Sequence, residues 1–342
     1  MEYDIVIATR NRAPILEVSI PLMLSQGRRP RRVIVVDSSD DDQAVPKTLE
    51  SISAADPIDL KYVRSEIGSA HQRNVGLRSV ISPVVMFPDD DSLWLPGVAD
   101  AVMRIYELDQ DKVIGAVCAA EALSPPPGVF ATAKRAYEMS WKDRLKLKIE
   151  RWRNAMEQRF APDPCWLHGK SRWTVRPVPP WLAAENAVLV EYMTGFRMSF
   201  RTDLIHRCGF DEALTSYSLF EDVEASFTIM RTHLIIGARH AQVFHYRSPG
   251  KRTDGRRRGA FEILNRAYVV SKHSPQGSVA RSLMRRYGHY KLAQYALACH
   301  TPFGRERFRG AWRALKCLDA IVSAPAEFLP REYTRQLEIC TK

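Results

Sequence analysis

Across residues 5–119 short apolar runs alternate with longer segments in which apolar side chains recur every three or four positions. The runs at 5–8, 33–37, 60–63, 84–87 and 113–119 predict strands, and 14–25, 70–80 and 96–108 predict helices. Pro14 stands near the start of the first helix, where its missing amide hydrogen costs nothing. The run VIVV at 33–36 has no polar alternation and so predicts a strand buried on both faces, as in a mostly parallel α/β sheet flanked by helices. Ligands of such sheets sit beyond the carboxyl ends of the strands. Thr9, Arg10, Asn11, the polar segment 37–40 and the acidic segment 89–91 all fall at those ends.

The rhythm breaks at the prolines 125–127. From 133 to 160, Tyr137, Trp141, Leu145, Ile149, Trp152, Met156 and Phe160 form a stripe at helical spacing, with Lys and Arg on the other faces. That pattern predicts either a solvated helix packed on the domain or a basic amphipathic helix lying on an anionic membrane. A Trp- and Pro-rich connection, 165–181, leads to a strand-like region at 187–200, a helix at 220–232 and a strand at 234–246. The remainder, 256–274 and 279–323, reads as several Arg- and Tyr-rich helices. The expected organisation is one α/β domain over 1–274, with a first half (1–120), a helical insertion (133–160) and a second half (187–274), followed by a helical extension over 275–342.

A chain of 342 residues with 45% hydrophobic content can bury a substantial core, and its 50 basic against 39 acidic side chains give a formal charge of +11, which favours anionic partners. Six cysteines without CxxC or CxxH spacing point to neither a zinc site nor a disulfide framework. The N-terminal residues lack the pattern of a cleavable leader, and no run of about eighteen apolar residues occurs. The expectation is a cytoplasmic protein, at most peripheral on the inner face of a membrane.

Candidate chemistry concentrates at 84–96, VVMFPDDDSLWLP, where a buried strand delivers three carboxylates. If the backbone remains extended, Asp89 and Asp91 project to one side and can share a hard divalent cation or a ribose hydroxyl, while Asp90 points elsewhere. Alternatively, the three acids cap the helix that follows. Asp37, at the end of VIVVD, offers a carboxylate acceptor at a strand end, or simply closes its strand. Glu221, Asp222 and Glu224 would be stabilised at a helix N-terminus by the macrodipole.

Taken together, IVIATRNR (5–12), VIVVDSSDD (33–41), IGSAHQRNVGLRSV (67–80), the DDD at 89–91, EYMTGFRMSFRTDLIHRCGFDEAL (191–214) and FEDVEASFTIMR (220–231) resemble family 2 glycosyltransferases, inverting enzymes of the GT-A fold, over roughly residues 3 to 274. The resemblance implies transfer of a sugar from a nucleoside diphosphate sugar to a hydroxyl of a carbohydrate or lipid-linked acceptor, with Mn²⁺ or Mg²⁺ as cofactor, in cell-surface polysaccharide or glycoconjugate synthesis. It implies that Thr9, Arg10, Asn11, Asp37, Arg73, Asn74, Asp89 and Asp90 bind the donor, with Arg256 and Arg258 closing over the diphosphate from a basic loop at 250–258. Asp91, Asp89 and His245 would hold the metal, although a histidine at a strand end also serves as a hydrogen-bonded structural residue. Asp222 would be the general base, with Gly195 and Glu221 on the acceptor side. Pro88 departs from the family pattern, which places an aliphatic residue there.

The resemblance sets Asp37 against the base, where a carboxylate can accept the imide hydrogen of uracil or thymine, so UDP or dTDP donors are favoured, with guanosine donors still open. A sugar-nucleotide nucleotidyltransferase is the alternative enzyme, but ATRNRAPIL lacks the glycine-rich, lysine-containing phosphate loop. A non-catalytic basic membrane- or nucleic-acid-binding protein is the alternative outside enzymes. Nucleic acid is not an expected partner, because neither an RNP-like aromatic motif nor a zinc finger accompanies the basic residues.

Overall fold

Val33, Ile34, Val35 and Val36 are all fully buried, as an apolar run without alternation requires of an interior strand. They lie in a computed structural model that describes residues 1–129, 155–156, 159, 161, 163–165, 177–215, 219–247, 254–273 and 277–342. The chain divides into two units, the first made of Met1–Lys134, Arg172–Ser216 and Glu221–Pro249 and the second of Arg135–Ser171, Tyr217–Phe220 and Gly250–Lys342. Helix 255–273 thus falls in the second unit, whereas the sequence reading began the extension at 275.

The first unit is built on one sheet whose strands are β1 (Tyr3–Thr9), β2 (Arg32–Asp37), β3 (Asp59–Arg64), β4 (Val84–Phe87), β5 (Ser92–Trp94), β6 (Ile114–Glu121), β7 (Ala187–Leu189), β8 (Met198–Arg201) and β9 (Leu234–His245). The order is β3-β2-β1-β4-β8-β6-β9-β5, with β7 also paired to β9. β3, β2, β1 and β4 are mutually parallel, β8 runs antiparallel to both β4 and β6, and β5 and β7 pair antiparallel with β9. The sheet is therefore parallel in the half that the periodicity marks clearly and mixed beyond it.

Helices α1 (Ala13–Leu24), α2 (Ala44–Ala55), α3 (Ser69–Leu77), α4 (Val98–Leu108), α5 (Thr202–Cys208) and α6 (Glu221–Met230) belong to this unit. The sequence reading did not mark α2, although Val45, Thr48, Leu49 and Ile52 bury one face at helical spacing. α3 packs close to the sheet because residue 76 is glycine: a Cβ there would stand 2.3 Å from a Val6 methyl and 2.9 Å from one of Val36. Gln72 on the same helix donates to the carbonyls of Thr9 (2.9 Å) and Val36 (2.8 Å), pinning the ends of β1 and β2 side by side.

The second unit contains α7 (Gly255–His273), α8 (Gly277–Ala296), α9 (Pro302–Val322) and α10 (Leu329–Thr341). The expected basic loop is corrected at 255–258, which form the first turn of α7. Asp254 stops the chain there: its carboxylate accepts from the Arg257 amide at 2.9 Å and its carbonyl from the Arg258 amide at 3.0 Å. Residues 250–253 lie outside the described residues, as does most of the 133–160 stripe. No helix among the described residues is long and apolar enough to cross a membrane.

Candidate active site

At the carboxyl end of β4 the chain makes a turn, not an extended continuation. Asp89 forms a single parallel bridge with Ala8, the Ser92 amide donates to the Asp89 carbonyl at 3.0 Å, and β5 begins at once. The acids therefore lead into a strand and not a helix N-terminus. This turn brings Asp89 and Asp91 together, correcting the pleat argument made from the sequence. β5 pairs with β9 in a register that sets Ser92 against His245, and the His245 Nε2 lies 3.3 Å from Asp91 Oδ1. Asp89, Asp91 and His245 each present a ligand atom within 4.8 Å of the other two.

Two carboxylate oxygens and an imidazole nitrogen are a donor set suited to Mn²⁺ or Mg²⁺. Burial raises the pKa of Asp89 against the pull of Arg73, with the Asp91 charge adding to the rise. Burial of His245 disfavours its charge, but the Asp91 carboxylate more than offsets this and the pKa is raised. The Phe196 ring stacks on the imidazole with centroids 4.5 Å apart and fixes its plane.

Asp90 points away from this cluster and is buried. It accepts from Thr9 Oγ1 at 2.9 Å and from Arg12 Nη1 at 3.0 Å, so it ties the end of β1 to the turn. Burial, partly opposed by Arg12, pushes its pKa up to about 7. Arg12, the last residue of the IVIATRNR segment, also lies 3.5 Å from Asp91. Asn11 takes a left-handed conformation, φ 55°, and exchanges two hydrogen bonds of 2.8 Å with Asp40, which also pairs with Arg10 at 3.0 Å.

Asp37 is fully buried at the end of β2. One oxygen accepts from the amide (2.8 Å) and hydroxyl of Ser39, the other from Tyr62 Oη (3.2 Å) and Arg64 Nη1 (2.9 Å). Tyr62, Arg64 and Ser39 were not among the sequence candidates. The parallel register of β2 and β3, which only the structure gives, sets Asp37 beside Arg64.

Arg73 links the two halves of the site. Its buried guanidinium donates to Asp89 at 2.9 Å and to Glu221 at 2.8 Å, and Glu221 also accepts from Ser69 Oγ at 2.9 Å. Asn74 instead clamps the chain at 210–212, donating to the Phe210 carbonyl and Glu212 and accepting from the Phe210 amide, each at 2.8 Å. Asp222, at the first turn of α6, accepts from the Gly195 amide at 2.7 Å and the Val223 amide at 2.8 Å. Burial and the neighbouring Glu221 charge push its pKa up to about 7. A Cβ on Gly195 would lie 3.1 Å from the Arg73 guanidinium, 3.7 Å from Asp222 and 3.8 Å from Asp89, so glycine keeps open the space that these three groups border. Arg256 and Arg258 lie in the second unit, where they pair with Glu306 (2.7 Å) and Glu262 (3.0 Å).

The model of glycosyl transferase family 2 matches residues 4–154. Among solved structures, the mannosyltransferase PcManGT from Pyrobaculum calidifontis, in complex with GDP-Man and Mn²⁺, is 17% identical with a TM-score of 0.51, over 99% of this chain and 86% of that one. S. aureus TarS 1–349 is 12% identical with a TM-score of 0.50, over 100% of this chain and 90% of that one. GalNAc-T7 with UDP, GalNAc and Mn²⁺ is 12% identical with a TM-score of 0.52, over 90% of this chain and 54% of that one. No curated protein sequence matches. The family model thus matches the first part of the chain, and the solved structures share the GT-A fold over nearly its whole length.

Proposed function

We propose that the protein transfers a sugar, with inversion, from a nucleoside diphosphate sugar to a hydroxyl of a carbohydrate or lipid-linked acceptor, in cell-surface polysaccharide or glycoconjugate synthesis. The observation that carries this reading is the meeting, around the space kept by Gly195, of a metal-competent Asp89, Asp91 and His245 set with a separately held Asp222.

In this reading Asp89, Asp91 and His245 hold Mn²⁺ or Mg²⁺, which neutralises charge on the diphosphate when bound. Arg73 favours the ionised form of Asp89 against its burial and holds it in place, while Thr9 and Arg12 brace the turn through Asp90. Asp222 removes the proton from the acceptor hydroxyl. A pKa near 7 suits that task, since a base poised near the working pH combines a large ionised fraction with real proton affinity. The Gly195 and Val223 amides hold its carboxylate in position without neutralising it. Peripheral attachment to an anionic membrane face belongs to the same reading. It is supported in the second unit by α9, whose Arg305, Arg309, Trp312, Arg313 and Lys316 recur on one side of the helix and are exposed.

Two substitutions test the assignment. Asp91→Ala should abolish the Mn²⁺-dependent part of nucleotide affinity in titration calorimetry. Asp222→Asn should leave that affinity nearly intact and lower transfer by about 10² to 10⁴, the usual worth of general-base catalysis. Unchanged metal dependence in the first, or near-full transfer in the second, would count against it.

A further inference from the structure

We propose that Arg64, and not Asp37, reads the base of the donor, and that it selects guanine. The inference rests on the nucleotide-sugar reading above. A carboxylate has about four lone-pair positions, and Asp37 uses four: the amide and hydroxyl of Ser39 on one oxygen, Tyr62 and Arg64 on the other. Being fully buried, it presents no acceptor surface to a ligand. The imide hydrogen of uracil or thymine would have to displace a charge-assisted bond to be recognised there.

Arg64 has the opposite character. Its Nη1 is held by Asp37 and its Nη2 by the Ser39 carbonyl, which fixes the plane of the fork, while 45% of the side chain is exposed. A guanidinium carries five N–H groups and no acceptor and is always charged; beyond these two bonds and its interaction with the Tyr62 hydroxyl, N–H groups remain for a ligand. The feature offered to a ligand at the ends of β2 and β3 is therefore a rigid donor. Guanine presents O6 and N7 as adjacent acceptors that match such a fork. Adenine sets its N6 amine, a donor, beside N7. Uracil and thymine present carbonyls flanking an N–H, which calls for an acceptor that Asp37 no longer provides. The expectation of UDP or dTDP thus loses the free acceptor on which it stood.

Binding of GDP, UDP and ADP in the presence of Mn²⁺ would be measured by titration calorimetry on the full chain, on Arg64→Ala and on Arg64→Lys, with circular dichroism as the folding check. The wild-type protein should bind GDP about tenfold or more tighter than UDP or ADP, the discrimination expected of a bidentate arginine pair. Arg64→Ala should lose that preference chiefly through weaker GDP binding, with UDP unchanged or tighter because Asp37 is released. Arg64→Lys preserves the ion pair without the fork and should also lose the preference; it carries the test alone if the alanine variant does not fold. Tighter binding of UDP than GDP by the wild type, or an equal change for all three nucleotides in the variants, would overturn the role of Arg64 while leaving the glycosyltransferase reading intact. Absence of binding to every nucleotide by the folded wild-type protein would overturn both.

Discussion

Arg73 in the sheet unit and Arg266 in the helical unit are both buried guanidiniums with a carboxylate and an aromatic ring beside them, yet their surroundings do different things. Arg266 bonds Asp163 at 2.8 Å and the Glu262 carbonyl of its own helix at 2.7 Å, and lies over the rings of Phe220 at 4.3 Å and Tyr287 at 4.7 Å. Those partners close the site: one charge, one carbonyl and two aromatic faces hold one cation. Arg73 is shared by two carboxylates, and one of them, Asp89, is 35% exposed and belongs to the candidate metal set. Opposite it, Asp222 has a raised pKa without a cation bonded to it in this way. Burial of an arginine is thus no mark of function by itself. The mark is a surplus of carboxylates around it that one cation leaves incompletely neutralised.

The comparison breaks most sharply at Arg73. Arg73→Met leaves Glu221 and Asp89 without their shared cation, a change that costs about 3–5 kcal/mol when one partner of a buried pair is removed. Transfer should fall to background in whatever protein remains folded; a stable, fully active variant would show that the bridge is incidental. Arg266→Met should produce a stability loss of about 3 kcal/mol by the same reasoning, but with unchanged nucleotide affinity per folded molecule. Chemical denaturation paired with calorimetry separates the two cases, and loss of nucleotide affinity in the Arg266 variant would erase the distinction.

A smaller effect sharpens the account of Asp222. Because its pKa is raised to about 7 in the folded protein, the ionised form is disfavoured relative to the unfolded chain, and the resulting stability penalty grows as pH rises from about 4 to about 7. Asp222→Asn removes that penalty. The variant should therefore melt higher than the wild type at pH 8, with the gap closing toward pH 4, while transfer by the wild type rises about tenfold per unit below pH 7 and levels off above it. A pH-independent difference in melting temperature would argue against a raised pKa. The smallest effect concerns α9: reversing Arg309, Arg313 and Lys316 to Glu should weaken retention on anionic vesicles and leave transfer to a soluble acceptor unchanged. Equal retention of wild type and variant would remove the membrane role of that face.

What the sequence determined by itself was whatever burial writes along a single strand or helix. The apolar runs at 33–36 and 84–87 place strands, and charged residues that follow such runs must lie at strand ends, so Asp37 and the acids 89–91 were legible as candidates without a structure. Their partners were decided by tertiary structure. The pairing of β5 with β9 brings His245 to Asp91 across more than 150 residues of chain, and Arg73 reaches Glu221 from a helix 148 positions earlier. The same holds for Asp37, which reads as a free acceptor in the sequence and becomes a saturated one once β3 sets Arg64 beside it. Periodicity reports which face of an element is dry. Which charges meet depends on strand order and register, and these are settled by packing among elements far apart in the chain.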